Sequence, residues 1–463
     1  MSVCGHGFGK VKWATAESRC VTGDVRRAVG FLAVGAIGLA APLLDGHASE
    51  TLTAAGTVAP FLLVAAFALV SSEGRLFELF AYEADRQEGR LYGLASFALA
   101  VAGLAILLVG FGLPTAVFVA AVFVFTTGNL AQDLVVRRYP DPVVGTAAFA
   151  GAGTLGGVAS VSVAGALGAS VPSPALGVFV AASGALLGAL IRSALYIRDD
   201  SLVLLSSGLL IWLLVELEAG TPGPSVERVG AGLALTVALG FVAYALGTAS
   251  ITGMLTGVLL AFFAVVLGGY GWFVLLVTFF GLGGLASKYR YDEKLERGIA
   301  QENEGARGSG NVLANSAVAL VAVVAYASSE FVGVGASMFQ FAFAGAVAAA
   351  LADTFSSEFG GLFDAPRLIT TLERVEPGTD GGVTWQGAVA GLVGAGIIGG
   401  LGGVFFEFTT LSVALVAATG FAGMAVDSVL GATLEGGRLG NQSVNLLATL
   451  SAGLLAAAGS GLL

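Results

Sequence analysis

The sequence has little charge, and this shortage excludes most classes of protein. Asp, Glu, Lys and Arg make up 11% of its 463 residues, whereas 56% are hydrophobic and the mean hydropathy is +0.90. A water-soluble domain carries roughly 25% charged residues, so this chain lacks the polar surface that such a domain needs. Disordered, fibrous and nucleic-acid-binding proteins are excluded on the same grounds. The composition predicts a polytopic membrane protein in which water reaches only the loops.

Cysteine, histidine and lysine are also scarce. Cys4 and Cys20 precede the first apolar segment, so neither a disulfide framework nor a metal site with His6 is expected. The formal net charge of −10 argues against an anionic polymer as a partner. A polar stretch comes before the first apolar run, so we expect no cleavable signal peptide. Glycine, in contrast, is abundant, and 70 glycines predict closely packed transmembrane helices.

Apolar runs long enough to cross a membrane recur along the whole chain. A helix of about 17 to 25 apolar residues spans the ~30 Å hydrocarbon layer, and open sheets are excluded because lipid cannot satisfy their edges. The sequence therefore predicts an all-α bundle of about fifteen transmembrane helices. Their predicted starts lie near residues 28, 52, 92, 114, 143, 174, 201, 229, 251, 271, 311, 333, 385, 410 and 443.

The positions of Arg and Lys predict which loops face the cytoplasm. Residues 1–27 carry five basic residues and are predicted to be a cytoplasmic leader in a cell membrane protein. A segment rich in Pro and Gly, residues 218–228, is predicted to link two related halves, residues 28–217 and 229–463. The loops expected to return to the cytoplasmic side contain Arg75 to Arg90, Arg137 and Arg138, Arg192 to Arg198, Lys288 to Gly310, Asp353 to Trp385, and Glu435 to Gln442.

The second half carries polar residues at the ends of very apolar helices, where they default to functional candidates. Asp353 and Glu358 end one helix, and Asp427 lies near the end of another. The loop Gly378-Thr379-Asp380-Gly381-Gly382 precedes a new helix and offers backbone N–H groups to phosphate. Arg307 suits bidentate contact with phosphate. The other candidate binding residues are Asn311, Asn315, Thr370, Asn441 and Asn445.

Two acids, several oxygen-bearing side chains and an arginine together predict a site for Mg²⁺ and a nucleoside triphosphate. Asp353, Asp427 and Glu358 would hold the metal, and Arg307 would offset charge on the transferred group. Simpler interpretations remain for each residue. The acids could be helix-end residues near water, residues 378–382 an ordinary turn, and Arg307 a positive-inside anchor. The segment Asp292 to Glu304 is predicted to be a solvated helix of mixed charges.

Several of these strings resemble a known family of integral membrane proteins, which includes plant phytyl-phosphate kinase and animal transmembrane protein nineteen. The resemblance covers about residues 229–463 in the family's order. It implies a kinase that uses a nucleoside triphosphate, CTP or another, to convert phytyl or geranylgeranyl monophosphate to the diphosphate. The strings that carry it are Gly305-Ala306-Arg307, Asn311 to Asn315, Ala352-Asp353-Thr354, Ser357-Glu358, Pro366 to Thr371, Pro377 to Val383, and Asp427 to Thr433.

The first half weakly resembles CTP-dependent polyprenol kinases such as dolichol and phytol kinase. The likeness lies in Gly128 to Leu134 and Asp141 to Phe149, but Asn129 stands where that pattern has Asp and Val144 where it has Glu. We therefore expect residues 28–217 to be an inactive or altered half, in which Asp133 and Arg137 are the remaining candidates.

Other functions stay open at this point. The same residues would suit a CTP-dependent polyprenol kinase that acts on the free alcohol, or a cytidylyltransferase that makes a CDP-activated lipid. A transporter would place its acids along an ion path through the bilayer. The middles of the helices are almost purely apolar, which argues against that path. The sequence leaves open the nucleotide base, the chain length of the lipid and the oligomeric state.

Overall fold

Fifteen helical segments dominate the part of the chain that the structure describes. The computed structural model describes residues 13–45, 49–195, 199–217, 223–247, 249–300, 308–435 and 438–463. Fifteen segments in these ranges are long and apolar enough to cross a membrane. Each begins within three residues of its predicted start, with the largest differences at Val25, Val226 and Ala336. The prediction of an all-α polytopic membrane protein is confirmed.

The chain divides into two compact units, Met1–Ala219 and Gly220–Leu463, and the division falls inside the segment predicted as a linker. In the first unit, helix α7 lies at the centre and packs against α1, α6, α8, α9 and α10. The helices of this unit are α1 (Trp13–Ala36), α2 (Ala40–Leu44), α3 (Glu50–Val70), α4 (Arg75–Phe80), α5 (Glu83–Glu88), α6 (Tyr92–Phe111), α7 (Thr115–Val136), α8 (Pro142–Ala166), α9 (Pro174–Ala194) and α10 (Asp200–Leu217). A 3₁₀ turn (Ile37–Leu39) joins α1 to α2.

The second unit is also helical, with one small hairpin between two of its helices. A π-helical turn (Ala264–Gly268) continues α12. The elements of this unit are α11 (Val226–Leu246), α12 (Ile251–Phe263), α13 (Tyr270–Lys288), α14 (Tyr291–Glu296), α15 (Ser309–Ala327), α16 (Ser329–Val332), α17 (Ala336–Gly360), β1 (Arg367–Leu368), β2 (Gly382–Val383), α18 (Trp385–Phe405), α19 (Thr410–Leu434) and α20 (Asn441–Ser460).

Helix α17 forms the centre of the second unit, where it packs against α13, α15, α18, α19 and α20. Glycines on its neighbours allow this close approach. A Cβ atom added at Gly391 of α18 would lie 3.0 Å from the carbonyl oxygen of Ala352, and one at Gly394 would lie 3.0 Å from that of Leu351. A larger side chain at either position would push α18 away from α17. The expected role of glycine in helix packing is confirmed here.

A two-stranded hairpin occupies the connection between α17 and α18, where the sequence predicted only a polar loop. Its antiparallel strands pair Arg367 with Val383 and Leu368 with Gly382. Gly381 directly precedes β2, and its φ of +72° is accessible to glycine at no steric cost. A Cβ atom at Gly381 would lie only 2.4 Å from Cβ of Ala432. The hairpin therefore holds residues 378–382 directly against the end of α19.

The segment from Asp292 to Glu304 differs from the predicted solvated helix. Helix α14 covers only Tyr291–Glu296, and its Lys294 is 1% exposed. The ammonium group can be buried because three acceptors replace its hydration. They are the carbonyl oxygens of Ala286 and Ser287 and the carboxylate of Glu358. Residues 301–307 lie outside the described residues.

Candidate functional site

A polar cavity of about 390 Å³ lies in the second unit, where the hairpin meets the ends of α15, α17, α19 and α20. Most of the candidate residues predicted from the sequence line this single cavity, although they come from separate helices. Those that line it are Asn311, Asn315, Asp353, Gly378, Thr379, Asp380, Gly381, Gly382, Asp427, Asn441 and Asn445.

Carboxyl groups from two helices meet in this cavity. The side chains of Asp353 on α17 and Asp427 on α19 are close enough to hydrogen bond, and Glu435 acts electrostatically on Asp427. Oδ2 of Asp427 is buried and accepts no hydrogen bond from a described residue. Asp380 adds a fourth carboxyl group, and no Lys or Arg is among the described residues that line the cavity. The negative charge of the cavity therefore has no cationic side chain beside it in the described part of the chain.

The clustered carboxyl groups affect the pKa of Glu435 at the end of α19. Burial raises the pKa of the Glu435 carboxyl, and the negative charge of Asp380 raises it further. An ionised carboxylate loses hydration when it is buried and is repelled by a second carboxylate. A bound cation would relieve both effects. Glu435 was not among the predicted site residues, although it lies two helical turns after Asp427 and so on the same face.

Two helix N-termini open at the same cavity. Helices α15 and α20 begin after Gly308 and Gly440, and neither start has a side-chain cap. The two starts lie side by side, because a Cβ atom at Gly310 would lie 2.4 Å from Nε2 of Gln442. The first N–H groups of a helix have no partner within the helix and carry a partial positive charge. These two starts are therefore suited to bind phosphate.

The loop Gly378–Gly382 offers fewer free amides than its sequence suggested. The N–H of Thr379 donates to the carbonyl oxygen of Glu376 at 3.2 Å, and the N–H of Gly382 donates to that of Thr379 at 2.9 Å. These bonds close the turn, whereas no backbone carbonyl of the described residues accepts from the amides of Gly378, Asp380 and Gly381. The following helix, α18, is capped by Thr384, which accepts from the N–H of Gly387 at 3.1 Å. The positive N-terminal end of the α18 dipole is therefore capped by a side chain of the protein.

Two predicted site residues, Glu358 and Thr370, do not line the cavity, and a third lies outside the described residues. Glu358 is buried and bound to Lys294, whose Nζ lies 2.6 Å from Oε2, and it does not line the cavity. The ion pair occupies the carboxylate that was expected to bind metal. Thr370 is exposed on the hairpin, away from the lining. Arg307 lies outside the described residues.

The candidate residues of the first unit have different surroundings. Asn129 of α7 is buried, and its Oδ1 accepts no hydrogen bond from a described residue. Asp133 is half-buried, and Arg137 is exposed at the end of the helix. Asp85 and Asp200 are buried acids of this unit, and Oδ1 of Asp200 lies 3.5 Å from Nη1 of Arg192.

Comparison with known proteins identifies the family. The model of a family described as integral membrane protein DUF92 matches residues 234–453. An uncharacterized membrane protein, MJ0933, of Methanocaldococcus jannaschii is 36% identical over 207 residues, which cover 44% of this chain and 82% of that protein. The chain belongs to the DUF92 family of integral membrane proteins.

Two plant proteins are similar to part of this chain. Protein PGR of Arabidopsis thaliana is 34% identical over 189 residues, which cover 36% of this chain and 65% of that protein. Protein VTE6, chloroplastic, of the same plant is 28% identical over 171 residues, which cover 36% of this chain and 50% of that protein. No solved structure matches the chain. Every residue that lines the cavity lies within the DUF92 match.

Proposed function

We propose that the second unit is a membrane kinase that phosphorylates an isoprenyl monophosphate, such as phytyl or geranylgeranyl phosphate, at the cytoplasmic face of the cell membrane. The observation that carries this proposal is the pairing of Asp353 and Asp427 in one polar cavity with two uncapped helix N-termini. Membership of the DUF92 family and the resemblance to phytyl-phosphate kinase agree with it. A phosphate oxygen of the lipid attacks the terminal phosphorus of the nucleoside triphosphate, whose bridging P–O bond breaks to release the nucleoside diphosphate.

The donor set of the cavity fits Mg²⁺. Carboxylate, amide and hydroxyl oxygens are the ligands that this hard cation prefers, and Oδ2 of Asp427 has no described hydrogen-bond donor. Among the described residues, no group of three His, Cys, Asp or Glu side chains is placed to hold a metal alone. Mg²⁺ commonly binds through one or two carboxylates and completes its shell with water and substrate phosphates. Asp353 and Asp427 would hold it, and it would supply neutralisation of phosphate charge.

The remaining residues bind and orient the two phosphorylated substrates. The amides of Gly378, Asp380 and Gly381 bind the nucleotide phosphates, and the starts of α15 and α20 bind the phosphate of the lipid. Asn311 and Asn441 lie in these first turns and add hydrogen-bonding side chains. No general base is required, because the acceptor oxygen is already ionised near neutral pH. Positioning and charge stabilisation supply most of the rate in such transfers.

The test is phosphoryl transfer in membranes that contain the full chain. Nucleoside triphosphates labelled at the terminal phosphate are offered with isoprenyl monophosphates and with the free alcohols. We expect label in the isoprenyl diphosphate when Mg²⁺ is present. Asp353→Asn should lower transfer by on the order of 10³-fold, because metal neutralisation of transition-state charge contributes several kcal/mol.

The matched control is Thr370→Ala, which changes an exposed residue outside the cavity and should leave transfer unchanged within about twofold. Full turnover in the Asp353→Asn variant would exclude the metal assignment. Product analysis separates the remaining reactions. Release of pyrophosphate with a CDP-lipid would identify a cytidylyltransferase, and label in the monophosphate of a free alcohol would identify a polyprenol kinase.

A further inference from the structure

A buried ion pair joins α14 to α17 outside the cavity. Nζ of Lys294 lies 2.6 Å from Oε2 of Glu358, and the two side chains are 1% and 4% exposed. Nζ also donates to the carbonyl oxygens of Ala286 at 2.7 Å and Ser287 at 3.4 Å. Oε1 of Glu358 accepts no hydrogen bond from a described residue. Among the described residues, the ammonium group of Lys294 therefore balances the charge of this buried carboxylate.

The backbone after Lys294 passes directly to the cavity through a fixed turn. The N–H of Ile299 donates to the carbonyl oxygen of Lys294 at 3.0 Å, and the N–H of Gly298 donates to that of Leu295 at 3.1 Å. Gly298 has a φ of +70°, so α14 ends in a Schellman motif. This motif fixes Ile299 relative to Lys294. Gly298, Ile299 and Ala300 all line the cavity.

Ile299 packs against the loop that offers amides to phosphate. A Cβ atom at Gly378 would lie 3.0 Å from Cγ2 of Ile299, and one at Gly361 would lie 2.7 Å from its Cδ1. Ile299 thus fills the space between the end of α17 and the start of the loop 378–382. A continuous chain of contacts leads from Glu358 through Lys294 and Ile299 to Gly378.

We propose that Lys294 and Glu358 are positioning residues that hold Ile299 against Gly378 and so fix the phosphate-binding loop for the nucleotide. The proposal rests on the proposed function, which assigns nucleotide phosphates to that loop. Neither residue touches a substrate, because neither lines the cavity. Their removal loosens the loop and raises the KM for the nucleotide. The rate of the bound complex is affected less, since Asp353 and Asp427 stay on their helices.

The first variant removes both charges, as Lys294→Met with Glu358→Met. A single substitution would leave one buried charge unpaired, whereas replacement of a whole buried pair by apolar side chains is often neutral for stability. We expect a melting temperature close to that of the parent. The KM for the nucleotide should rise about tenfold, with kcat changed less than about threefold.

A second readout does not depend on activity. In a chain with Cys4→Ser and Cys20→Ser, the substitution Ala300→Cys places a thiol at the cavity wall. The Lys294→Met, Glu358→Met pair should increase its rate of maleimide labelling several-fold, because the segment is no longer docked. If the kinase assay fails in the parent, the proposed function is refuted, while the labelling still tests the docking.

Two further variants complete the test. Ile299→Ala keeps the ion pair but removes the contact with Gly378, so it should raise the nucleotide KM in the same way. Arg297→Gln is the matched control, because its ion pair with Asp364 at 3.0 Å holds the same segment at an exposed position. It should change KM less than about twofold. An unchanged KM in Ile299→Ala, or unchanged labelling in the folded double variant, would overturn the proposal.

Discussion

The two units both bury acidic side chains near helix ends, but they balance the charge in opposite ways. In the first unit, Asp200 lies 3.5 Å from Arg192 and accepts a hydrogen bond from the hydroxyl of Tyr82 at 2.5 Å. In the second unit, Asp427 faces Asp353 and has an oxygen with no described hydrogen-bond donor. The first arrangement supplies its own counter-charge, although Oδ1 of Asp200 also accepts no hydrogen bond from a described residue. In the second, no Lys or Arg lies among the described residues that line the cavity.

The start of α8 in the first unit also differs from the two helix starts at the cavity. In the first unit, Asp141 caps α8 by accepting from the N–H groups of Val143 and Val144, at 2.8 Å and 3.2 Å. Helices α15 and α20 of the second unit begin at the cavity without such a side chain. A cap satisfies the free N–H groups and removes them from use by an anion. The starts of α15 and α20 therefore keep N–H groups that no side-chain cap satisfies.

The largest effect expected from this comparison is on stability. Two equivalent Asp→Asn substitutions should change the free energy of unfolding in opposite directions. Asp200→Asn leaves the buried Arg192 without its counter-charge and should lower the free energy of unfolding by about 3–5 kcal/mol. Asp427→Asn removes a carboxylate that its neighbours repel, so it should raise stability by about 1 kcal/mol when divalent cations are absent. Thermal unfolding in detergent with a chelator measures both changes.

Equal destabilisation by the two substitutions would remove the distinction between the units. It would mean that Asp427 has a structural partner as strong as Arg192. A destabilising Asp200→Asn together with a neutral Asp427→Asn would keep the distinction but weaken the claim of repulsion in the cavity.

Metal binding gives the next largest effect. A ligand at about 100 times its dissociation constant stabilises the folded state by about 2.7 kcal/mol. Mg²⁺ should therefore raise the melting temperature of the parent, and Asp353→Asn should abolish that rise. Asp200→Asn serves as the control, because its lower melting temperature should still respond to Mg²⁺. A response that survives in Asp353→Asn would place the metal elsewhere in the molecule.

The membrane spans could be predicted because hydrophobic length is a local property of the sequence. The small errors have local causes that an apolar window does not detect. Helix α11 begins at Val226, before its apolar run, because the Ser225 hydroxyl accepts from the N–H of Arg228 at 3.2 Å and caps it. Helix α17 begins at Ala336, after the predicted start, because Gly333 adopts a left-handed conformation with φ +67°.

The site could be predicted as a set of residues but not as a geometry. Asp353 and Asp427 were candidates because each is an acid near the end of an apolar helix. Both residues line the cavity, so this local signal identified them correctly. The partner of Glu358 was not predictable, since the buried Lys294 lies 64 positions away and belongs to a segment of mixed charge. The sequence also could not show that the turn uses the amides of Thr379 and Gly382 for its own closure. Such assignments depend on tertiary contacts, which residue types and spacing do not encode.

The smallest effect distinguishes a glycine of the cavity from a glycine of the first unit. At Gly381, which has φ +72°, an added Cβ would lie 2.4 Å from Cβ of Ala432 and 2.6 Å from the carbonyl oxygen of Ser428. Gly381→Ala should shift the loop and raise the nucleotide KM about tenfold, or about 1.4 kcal/mol. Gly151 in α8 has no atom within 4 Å of an added Cβ. Gly151→Ala should stabilise the helix by about 0.5–1 kcal/mol and leave KM unchanged. If Gly381→Ala binds nucleotide as the parent does, the loop 378–382 is an ordinary turn and the phosphate is bound by the helix starts alone.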